Sequence, residues 1–307
     1  MRPQTRIIAF LVATFALSSV FYARIIADGK MHALPVFALM WSPGVAAIIV
    51  RLATARNLRG AGWTWGATRW QIASYLIPLA AASVVYGAAW LTGIGGLDVS
   101  ALTIRTMAKQ MSPGASLVFL ATIGFVVSAF LFALGEEIGW RGFLVPELAR
   151  VTTFTRTALI SGVVWAVYHF PIILFADYNS PAPKWFGITM FSWGVLAMSF
   201  VLAWIRLKSG SLWTSAVFHG SHNLFVQEVF DRVTVNRGWT PYLTTEFGVG
   251  LAIAYTLVAI WLYRVSSAPG GSHDEAAPVD SHPRNGGVGQ RDAGRAIVEA
   301  VDGRPHG

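Results

Sequence analysis

The sequence contains no cysteine and few charged residues. Without cysteine, the chain can form neither a disulfide nor a thiol nucleophile, and any metal ion would have to be held by His, Asp or Glu. Charged residues make up 12% of the sequence, whereas soluble globular proteins contain about 25%. Hydrophobic residues make up 54%, and the mean hydropathy is +0.54. These values exclude an ordinary soluble protein.

Long uncharged runs account for this composition. About 20 consecutive apolar residues suffice for a helix to cross a bilayer, and runs of roughly that length recur along the chain. We interpret them as eight transmembrane helices at residues 7–23, 33–50, 70–95, 115–135, 157–176, 185–205, 209–227 and 247–263. The fourth run becomes apolar again after its charged residues and extends to about residue 148. The sequence therefore predicts an all-α polytopic membrane protein.

The first run also resembles a secretory signal, because Arg2 and Arg6 precede it. Its 17 uncharged residues exceed the usual apolar region of a signal, and "YARIIADGK" at residues 22–30 is a poor cleavage site. We therefore expect a retained transmembrane helix.

The basic residues predict how the helices are oriented. With eight spans and a cytoplasmic N-terminus, twelve Lys and Arg residues fall on the cytoplasmic side and seven on the other. An excess of positive charge in cytoplasmic loops is typical of membrane proteins. We therefore predict an integral protein of the plasma membrane with both termini in the cytoplasm. The bilayer is an expected partner, whereas nucleic acid is not, because no basic motif with interleaved aromatic residues is present.

Two parts of the chain differ in composition. Residues 1–265 are predicted to form the membrane domain, and residues 266–307 form a hydrophilic tail rich in Gly, Pro, Asp and Ser. The tail has too few large apolar residues to bury a core, so we predict that it is disordered. Its histidines, His273, His282 and His306, lack the spacing of metal ligands.

Three charged residues interrupt the fourth run in "EEIGWR", residues 136–141. Charged side chains are costly within a membrane and often mark a functional site. Glu137 and Arg141 are spaced i,i+4, which favours an ion pair on one helix face. Glu136 is rotated from Glu137 by about 100° and remains free to act as a base. A loop after the fourth helix is the alternative, but the apolar "GFLVPEL" that follows argues against it.

Small residues flank these charges. Gly135, Gly139 and Gly142 have no side chain beyond the backbone. Such positions allow neighbouring membrane helices to approach closely. We therefore expect tight helix packing around the glutamates.

A histidine stands in the middle of the fifth run, in "WAVYHFP". Trp165 precedes His169 by one helical turn, and Pro171 follows it by two residues. Proline removes a backbone hydrogen bond and favours a kink, which is frequent where a membrane helix lines a site. A hydrogen bond between helices is the alternative role for such a histidine.

The seventh run contains "HGSHN", residues 219–223. His219 and Asn223 are spaced i,i+4 and can face the same cavity. Both side chains can donate hydrogen bonds to an oxygen that gains negative charge, as an oxyanion hole requires. The alternative is that these polar side chains only form hydrogen bonds between helices. His222 is rotated by about 60° to the other side of His219, where it either supports the site residues from behind or has a structural role.

Taken in order, these stretches match Glu-Glu-x-x-x-Arg, aromatic-x-x-x-His and His-x-x-x-Asn motifs. Over about residues 115–228 the chain resembles the CPBP family of intramembrane proteases, also called the Abi or CAAX-protease family. Each motif is weak alone, whereas the ordered set on successive apolar runs is specific. The resemblance implies a conical active-site cavity open to the cytoplasmic side and a peptide or membrane-protein substrate.

The resemblance also implies roles for individual residues. Glu136 and His169 would activate a water molecule, and His219 with Asn223 would stabilise the oxyanion. Glu137, Arg141 and Trp165 would support them. Descriptions of the family differ on whether a metal takes part. Glu136, His169 and His219 are a conceivable set of zinc ligands, although no HExxH helix is present. We expect no cofactor, with Zn²⁺ as the alternative.

Two other functions are compatible with buried Glu and His residues. A proton-coupled transporter would use them as a relay, but the inverted repeats typical of transporters are not evident. A catalytically silent immunity or chaperone-like membrane protein would be indicated by a lost motif residue, and none is lost. The oligomeric state and the identity of the substrate are not encoded in any motif that we identify.

Overall fold

The computed structural model describes residues 1–104 and 110–267. Ten helices are named here in chain order: α1 Pro3–Asp28, α2 Ala33–Ala55, α3 Thr68–Leu91, α4 Pro113–Gly124, α5 Val127–Ala149, α6 Phe154–Phe175, α7 Lys184–Ser209, α8 Trp213–Asn223, α9 Thr240–Leu243 and α10 Val249–Ser267. Helix α8 continues in π-helical form over Leu224–Phe230 and ends with the turn Asp231–Val233. Two short strands, β1 Gly95–Leu97 and β2 Thr234–Asn236, pair in an antiparallel ribbon.

The helices confirm an all-α polytopic membrane protein. Helices α1, α2, α3, α6 and α7 are long and apolar enough to cross a membrane, and the bent pair α4–α5 counts as a sixth span. Large apolar side chains such as Ile8, Val84 and Leu257 are exposed on the outside of the bundle, as lipid contact requires.

The predicted number of eight spans is not confirmed. The two remaining runs are helical where predicted, as α8 and α10. However, α8 carries His219, His222 and, in its π-helical continuation, Glu228, which lower its mean hydropathy. The apolar part of α10, Val249–Val265, is shorter than the other spans. Helix α3 stops at Leu91, before the predicted residue 95, because Gly93 has φ +75° and the chain turns into β1.

The fourth run is bent rather than straight. Helices α4 and α5 form an angle of 41° at the break after Gly124. Within this run, Leu120–Gly124, Val127–Ala133 and Trp140–Leu144 are π-helical. Such π-helical turns are frequent at functional sites, and the last of these begins directly after Gly139.

Glycines allow α5 to pack closely against its neighbours. The prediction is confirmed for Gly135 and Gly139 but not for Gly142. A Cβ atom on Gly139 would lie 2.4 Å from Cβ of Pro43, and one on Gly135 would lie 2.8 Å from Cα of Trp41. Gly142 has ordinary contacts, the nearest at 3.4 Å. On the other side, a Cβ on Gly220 of α8 would lie 2.4 Å from Cα of Ala129. Helix α5 is thus fixed between α2 and α8, which places its two glutamates inside the bundle.

The two ends of the bundle differ in charge. We call the end formed by residues 1–6, 51–69, 147–156 and 206–213 the basic end, and the end formed by residues 24–33, 92–104, 175–184 and 228–248 the acidic end. Among the described residues, the acidic end carries six acids: Asp28, Asp98, Asp177, Glu228, Asp231 and Glu246. The basic end carries one, Glu147, which pairs with Arg6 at 2.9 Å.

The C-terminal tail is largely outside the described residues. Helix α10 ends at Ser267, so the predicted boundary at residue 265 is within two residues of the helix end. The disorder predicted for residues 266–307 and the three tail histidines concern residues outside the described part, and that interpretation stays a prediction.

Candidate active site

The structure brings the four residues predicted to be catalytic to one cavity. Glu136, His169, His219 and Asn223 all line a cavity of about 670 Å³. Its walls come from α2, α4, α5, α6, α7 and α8, together with the connections after α6 and before α10. Residues from three separate motifs therefore share one space, although their chemical roles stay a prediction.

Glu136 is held by two tryptophans. Its Oε2 atom accepts hydrogen bonds from Nε1 of Trp140 at 3.0 Å and from Nε1 of Trp165 at 2.7 Å. Because both bonds end on Oε2, the Oε1 atom is left to accept a bond from a water molecule. Trp140 was not predicted as a site residue, although its i,i+4 spacing from Glu136 was a signal for this bond.

Glu137 forms the ion pair that its spacing predicts. Nη1 of Arg141 lies 2.8 Å from Oε1 of Glu137, and both side chains are fully buried. The same oxygen accepts a second hydrogen bond from Nδ1 of His219, at 2.9 Å. The sequence did not predict this second contact, which joins α5 to α8. Glu137 therefore positions a candidate catalytic histidine in addition to neutralising an arginine.

The hydrogen bonds of the two histidines identify their free nitrogens. Nδ1 of His169 donates to the carbonyl oxygen of Trp165 at 2.8 Å, so the neutral ring has a basic Nε2. Nδ1 of His219 donates to Glu137, so Nε2 of His219 can donate a further bond when the ring carries both protons.

Trp165 contacts most of the site. Besides its bond to Glu136, its ring lies under the guanidinium of Arg141, with Cζ 4.2 Å from a ring centroid. Its centroid is 5.2 Å from that of His219 and 6.1 Å from that of His169. Although Trp165 was predicted to be a supporting residue, its contacts with both carboxylate and cation make it the packing centre of the site.

A second polar cluster lines the cavity towards the acidic end. Nε2 of His222 donates to Oε1 of Glu246 at 2.9 Å, and Nδ1 of His222 bonds the hydroxyl of Tyr255 at 2.7 Å. Nε2 of Gln227 also donates to Oε1 of Glu246, at 2.9 Å. The hydroxyl of Tyr178 donates to Oε2 of the same carboxylate. Burial opposes the ionisation of Glu246, but these hydrogen bonds more than offset it and lower its pKa to about 2.

This cluster holds His222 by hydrogen bonds, and its role stays a prediction. Glu246 was missed, because a lone acid before the last apolar run shows no spacing that relates it to His222.

The described residues do not provide a zinc site. Among them, no group of three His, Asp or Glu side chains is arranged to hold a metal ion. The alternative set was Glu136, His169 and His219. The bonds of Glu136 Oε2 to two indoles and of His219 Nδ1 to Glu137 leave the other atoms of these side chains available. The spatial grouping of the side chains, and not these bonds, argues against the zinc alternative.

The lining residues show which end of the bundle the cavity reaches. Its lining reaches the acidic end at Met31, Ala33, Asp177, Tyr178 and Glu246. None of the described lining residues belongs to the basic end, where α1 begins and α10 ends. The side of the membrane to which the cavity opens and the location of the termini both stay predictions.

Residues 118–225 match a known family, described as "Type II CAAX prenyl endopeptidase Rce1-like". The chain is 28% identical over 116 residues to "CAAX prenyl protease 2" of Methanococcus maripaludis, which covers 34% of this chain and 42% of that protein. It is 27% identical over 145 residues to "Uncharacterized protein YyaK" of Bacillus subtilis, covering 43% of this chain and 45% of that protein. The chain thus spans less than half the length of either relative.

The matched region coincides with the site. It begins within α4 and ends two residues after Asn223, so it includes all three motifs and every residue from Glu136 to Asn223. The motif resemblance and the fold agree with this match. Residues 118–225 of this membrane protein therefore match the Rce1-like family of CAAX prenyl endopeptidases.

Proposed function

We propose that the protein is an intramembrane endopeptidase that hydrolyses a peptide bond with a water molecule activated by Glu136 and His169. The observation that carries this proposal is the convergence of three polar motifs on one cavity inside an apolar bundle. The name of the Methanococcus relative, a CAAX prenyl protease, supports the same reaction class.

The arrangement around Glu136 suits a general base. Two indole donors fix the carboxylate through Oε2, and Oε1 can take a proton from a bound water. The water oxygen then attacks the peptide carbonyl carbon, and Glu136 later passes this proton to the nitrogen as the C–N bond breaks. A positioned base of this kind contributes about 10²–10⁴-fold to a rate. Nε2 of His169 can accept the proton released by the new carboxylic acid.

His219 and Asn223 suit the oxyanion. They are spaced i,i+4 on one helix, and both line the cavity. With Nδ1 bonded to Glu137, a doubly protonated His219 can donate from Nε2 to the tetrahedral oxygen, and Asn223 can donate from its amide. Donors held in place before the reaction stabilise the developing charge without reorganisation.

We also propose that both termini lie in the cytoplasm and that the protein resides in the plasma membrane. Twelve Lys and Arg residues lie at or nearest the basic end, against five at the acidic end among the described residues. Reporter fusions after Arg69, Arg156, Lys208 and Arg264 should all indicate the cytoplasm. A signal from the other side at Arg264 would contradict this orientation.

The test of the protease compares cells that express the wild-type chain, Glu136→Gln, or the matched control Asp98→Asn. Asp98 lies on the loop after β1 and accepts a bond from Ser100, away from the cavity. New peptide ends in the membrane and secreted fractions are identified by mass spectrometry. We expect a set of ends that Asp98→Asn retains and Glu136→Gln loses. If no end depends on Glu136 although the variant folds, the silent-scaffold function is favoured instead.

A further inference from the structure

We infer that Tyr178, anchored by Glu246, is a positioning residue that holds the ring of His169 for the proposed reaction. This inference rests on the proposed protease function and deepens it, because it adds two residues outside the three motifs to the site. Glu246 also lies outside the matched region, residues 118–225. The contacts of His169, the bond between Tyr178 and Glu246, and the backbone next to Glu246 support it.

Packing decides the orientation of the His169 ring. Within the described residues the ring makes one hydrogen bond, from Nδ1 to the carbonyl oxygen of Trp165 at 2.8 Å, and one bond at one edge leaves a ring able to tilt. Besides Trp165 and Tyr168 of its own helix, two rings from elsewhere in the chain contact it. The centroid of Phe191 lies 5.1 Å from that of His169, and the centroid of Tyr178 lies 6.1 Å away. These two rings therefore limit the directions in which Nε2 can point.

The hydroxyl of Tyr178 fixes its ring in this wall. Tyr178 lies in the connection after α6, which contains no helix or strand, so regular backbone structure does not order it. Its hydroxyl donates to Oε2 of Glu246, and its ring packs edge-on against Phe247 with centroids 5.3 Å apart. Phe247 in turn stacks on Phe191, at 5.5 Å. The wall against His169 is therefore one connected unit that is tied to Glu246.

Glu246 is suited to hold this hydroxyl. Its side chain is 11% exposed, and its Oε1 atom already accepts bonds from His222 and Gln227. Burial opposes the ionisation of Glu246, but its hydrogen bonds lower its pKa to about 2, so it is charged at neutral pH. Hydrogen bonds to a charged acceptor are stronger than those between neutral groups. The carboxylate therefore anchors Tyr178 more firmly than a neutral acceptor would.

The backbone next to Glu246 is strained. Thr245 has φ +65°, a left-handed conformation that is unfavourable for a β-branched residue. Its amide donates to the hydroxyl of Tyr86 at 3.0 Å, and its Oγ1 accepts a bond from the amide of Phe247 at 3.0 Å. Strain of this kind persists where the surrounding structure fixes it, and it is frequent at functional sites. Here it accompanies the turn that places Glu246 beside Tyr178.

Tyr178→Phe tests the anchor, because it keeps the ring and removes only the hydroxyl. The probe is a synthetic peptide that spans an end lost in Glu136→Gln cells. A displacement of about 1 Å can cost about 10²-fold in rate, and a loosened ring that still samples its position should cost less, about 10-fold in kcat with KM little changed. The matched control is Tyr242→Phe on α9, whose ring packs on Phe186. An unchanged kcat for Tyr178→Phe would overturn the inference.

Glu246→Gln tests the link between the two residues. It removes the charged acceptor of the Tyr178 hydroxyl, so kcat should fall to a similar extent. Because both changes break the same bond, the double variant Tyr178→Phe/Glu246→Gln should be no slower than the slower single variant. Non-additivity of this kind marks residues that act together. Effects that multiply would show that the two residues act separately and would overturn the proposed anchor.

The ring of His169 provides a readout that does not require cleavage. Nuclear magnetic resonance of protein with isotope-labelled histidine, in mildly alkaline detergent solution, shows which ring nitrogen carries the proton, and His169→Gln identifies the signals. We expect the proton on Nδ1 in the wild type, as the bond to Trp165 requires. In Tyr178→Phe a second form with the proton on Nε2 should appear, because the ring can turn away from that carbonyl. Unchanged signals would mean a purely structural role for Tyr178 and would overturn the inference.

These outcomes are separable from a failure of the proposed function. The resonance measurement requires the fold and not catalysis, so it can be repeated in the Glu136→Gln variant. If the His169 signals respond but no cleavage depends on Glu136, the protease proposal fails and the positioning of the ring by Tyr178 stands. If Glu136-dependent cleavage is found and Tyr178→Phe leaves both kcat and the His169 signals unchanged, the protease stands and the positioning inference fails.

Discussion

The basic and acidic ends of the bundle use their charged residues in opposite ways. At the basic end, Arg51 and Arg206 are buried and donate to backbone carbonyls. At the acidic end, Asp177 is exposed, and Glu246 lies in a hydrogen-bonded cluster at the cavity wall. We call this layer of buried, bonded arginines at the basic end the floor; the cavity extends instead to the acidic end.

The difference shows how a membrane bundle can hold ionisable groups at depth. Isolated charges are costly inside a membrane, and their cost falls when they are paired or bonded to carbonyls. The floor places such bonds next to Glu136 and Glu137, which restricts the motion of their helix. At the acidic end, polar groups line the cavity. Variants at four residues test this difference between the two ends.

The largest effect is expected from Glu136→Gln, at the bottom of the cavity. The amide keeps the size of the side chain but cannot take a proton from water, so the rate of peptide cleavage should fall by about 10²–10⁴-fold. Thermal unfolding in detergent should stay close to that of the wild type. Full retention of cleavage, measured on a peptide end that depends on the wild-type chain, would refute the assignment of the base.

Glu137→Gln should destabilise the floor, because it leaves Arg141 without its carboxylate. Breaking a buried ion pair on one side costs about 3–5 kcal/mol. The double variant Glu137→Gln/Arg141→Gln should recover part of the free energy of unfolding. Because Glu137 also holds His219, the double variant should not recover cleavage. Recovery of both would show that the bond to His219 is dispensable.

Arg51→Met should loosen the floor without touching the site. It removes the donor that Arg51 supplies to the buried carbonyl of Gly142, and a buried group left unpaired costs about 1–3 kcal/mol. The matched control is Arg56→Met, since Arg56 is exposed. Denaturation in detergent should show the loss for Arg51→Met and little change for the control. Equal free energies of unfolding for the two variants would mean that the bonds of Arg51 do not stabilise the packing at the basic end.

Glu246→Gln should have the smallest effect, and its size should depend on pH. The pKa of Glu246 is lowered from 4.5 to about 2 by its donors, although burial alone would raise it. A lowered pKa stabilises the fold above the unfolded value, and this contribution of up to about 3 kcal/mol is lost as pH falls from 4.5 towards 2. The stability difference from wild type should therefore be largest near neutral pH and shrink in acid. A difference that grows in acid would contradict the hydrogen-bonded cluster.

Local patterns in the sequence were sufficient to predict the helices and their internal pairs. Apolar runs of spanning length predicted the positions of the helices, because the cost of exposing backbone polar groups to lipid requires helices there. The ion pair of Glu137 with Arg141 followed from i,i+4 spacing alone. Gly135 and Gly139 signalled the close approach of another helix, although not which helix it would be.

The membrane class, the helical runs, the motif residues and the contacts within single helices were therefore predictable from the amino-acid sequence. The tertiary structure decided the contacts between helices: Trp165 with Glu136, His219 with Glu137, and His222 with Glu246. It also decided that the cavity meets the acidic end and that the zinc alternative lacks an assembled ligand set. The physical reason is that spacing defines neighbours only along one helix. Which faces meet across helices depends on rotation, depth and close packing of the whole bundle.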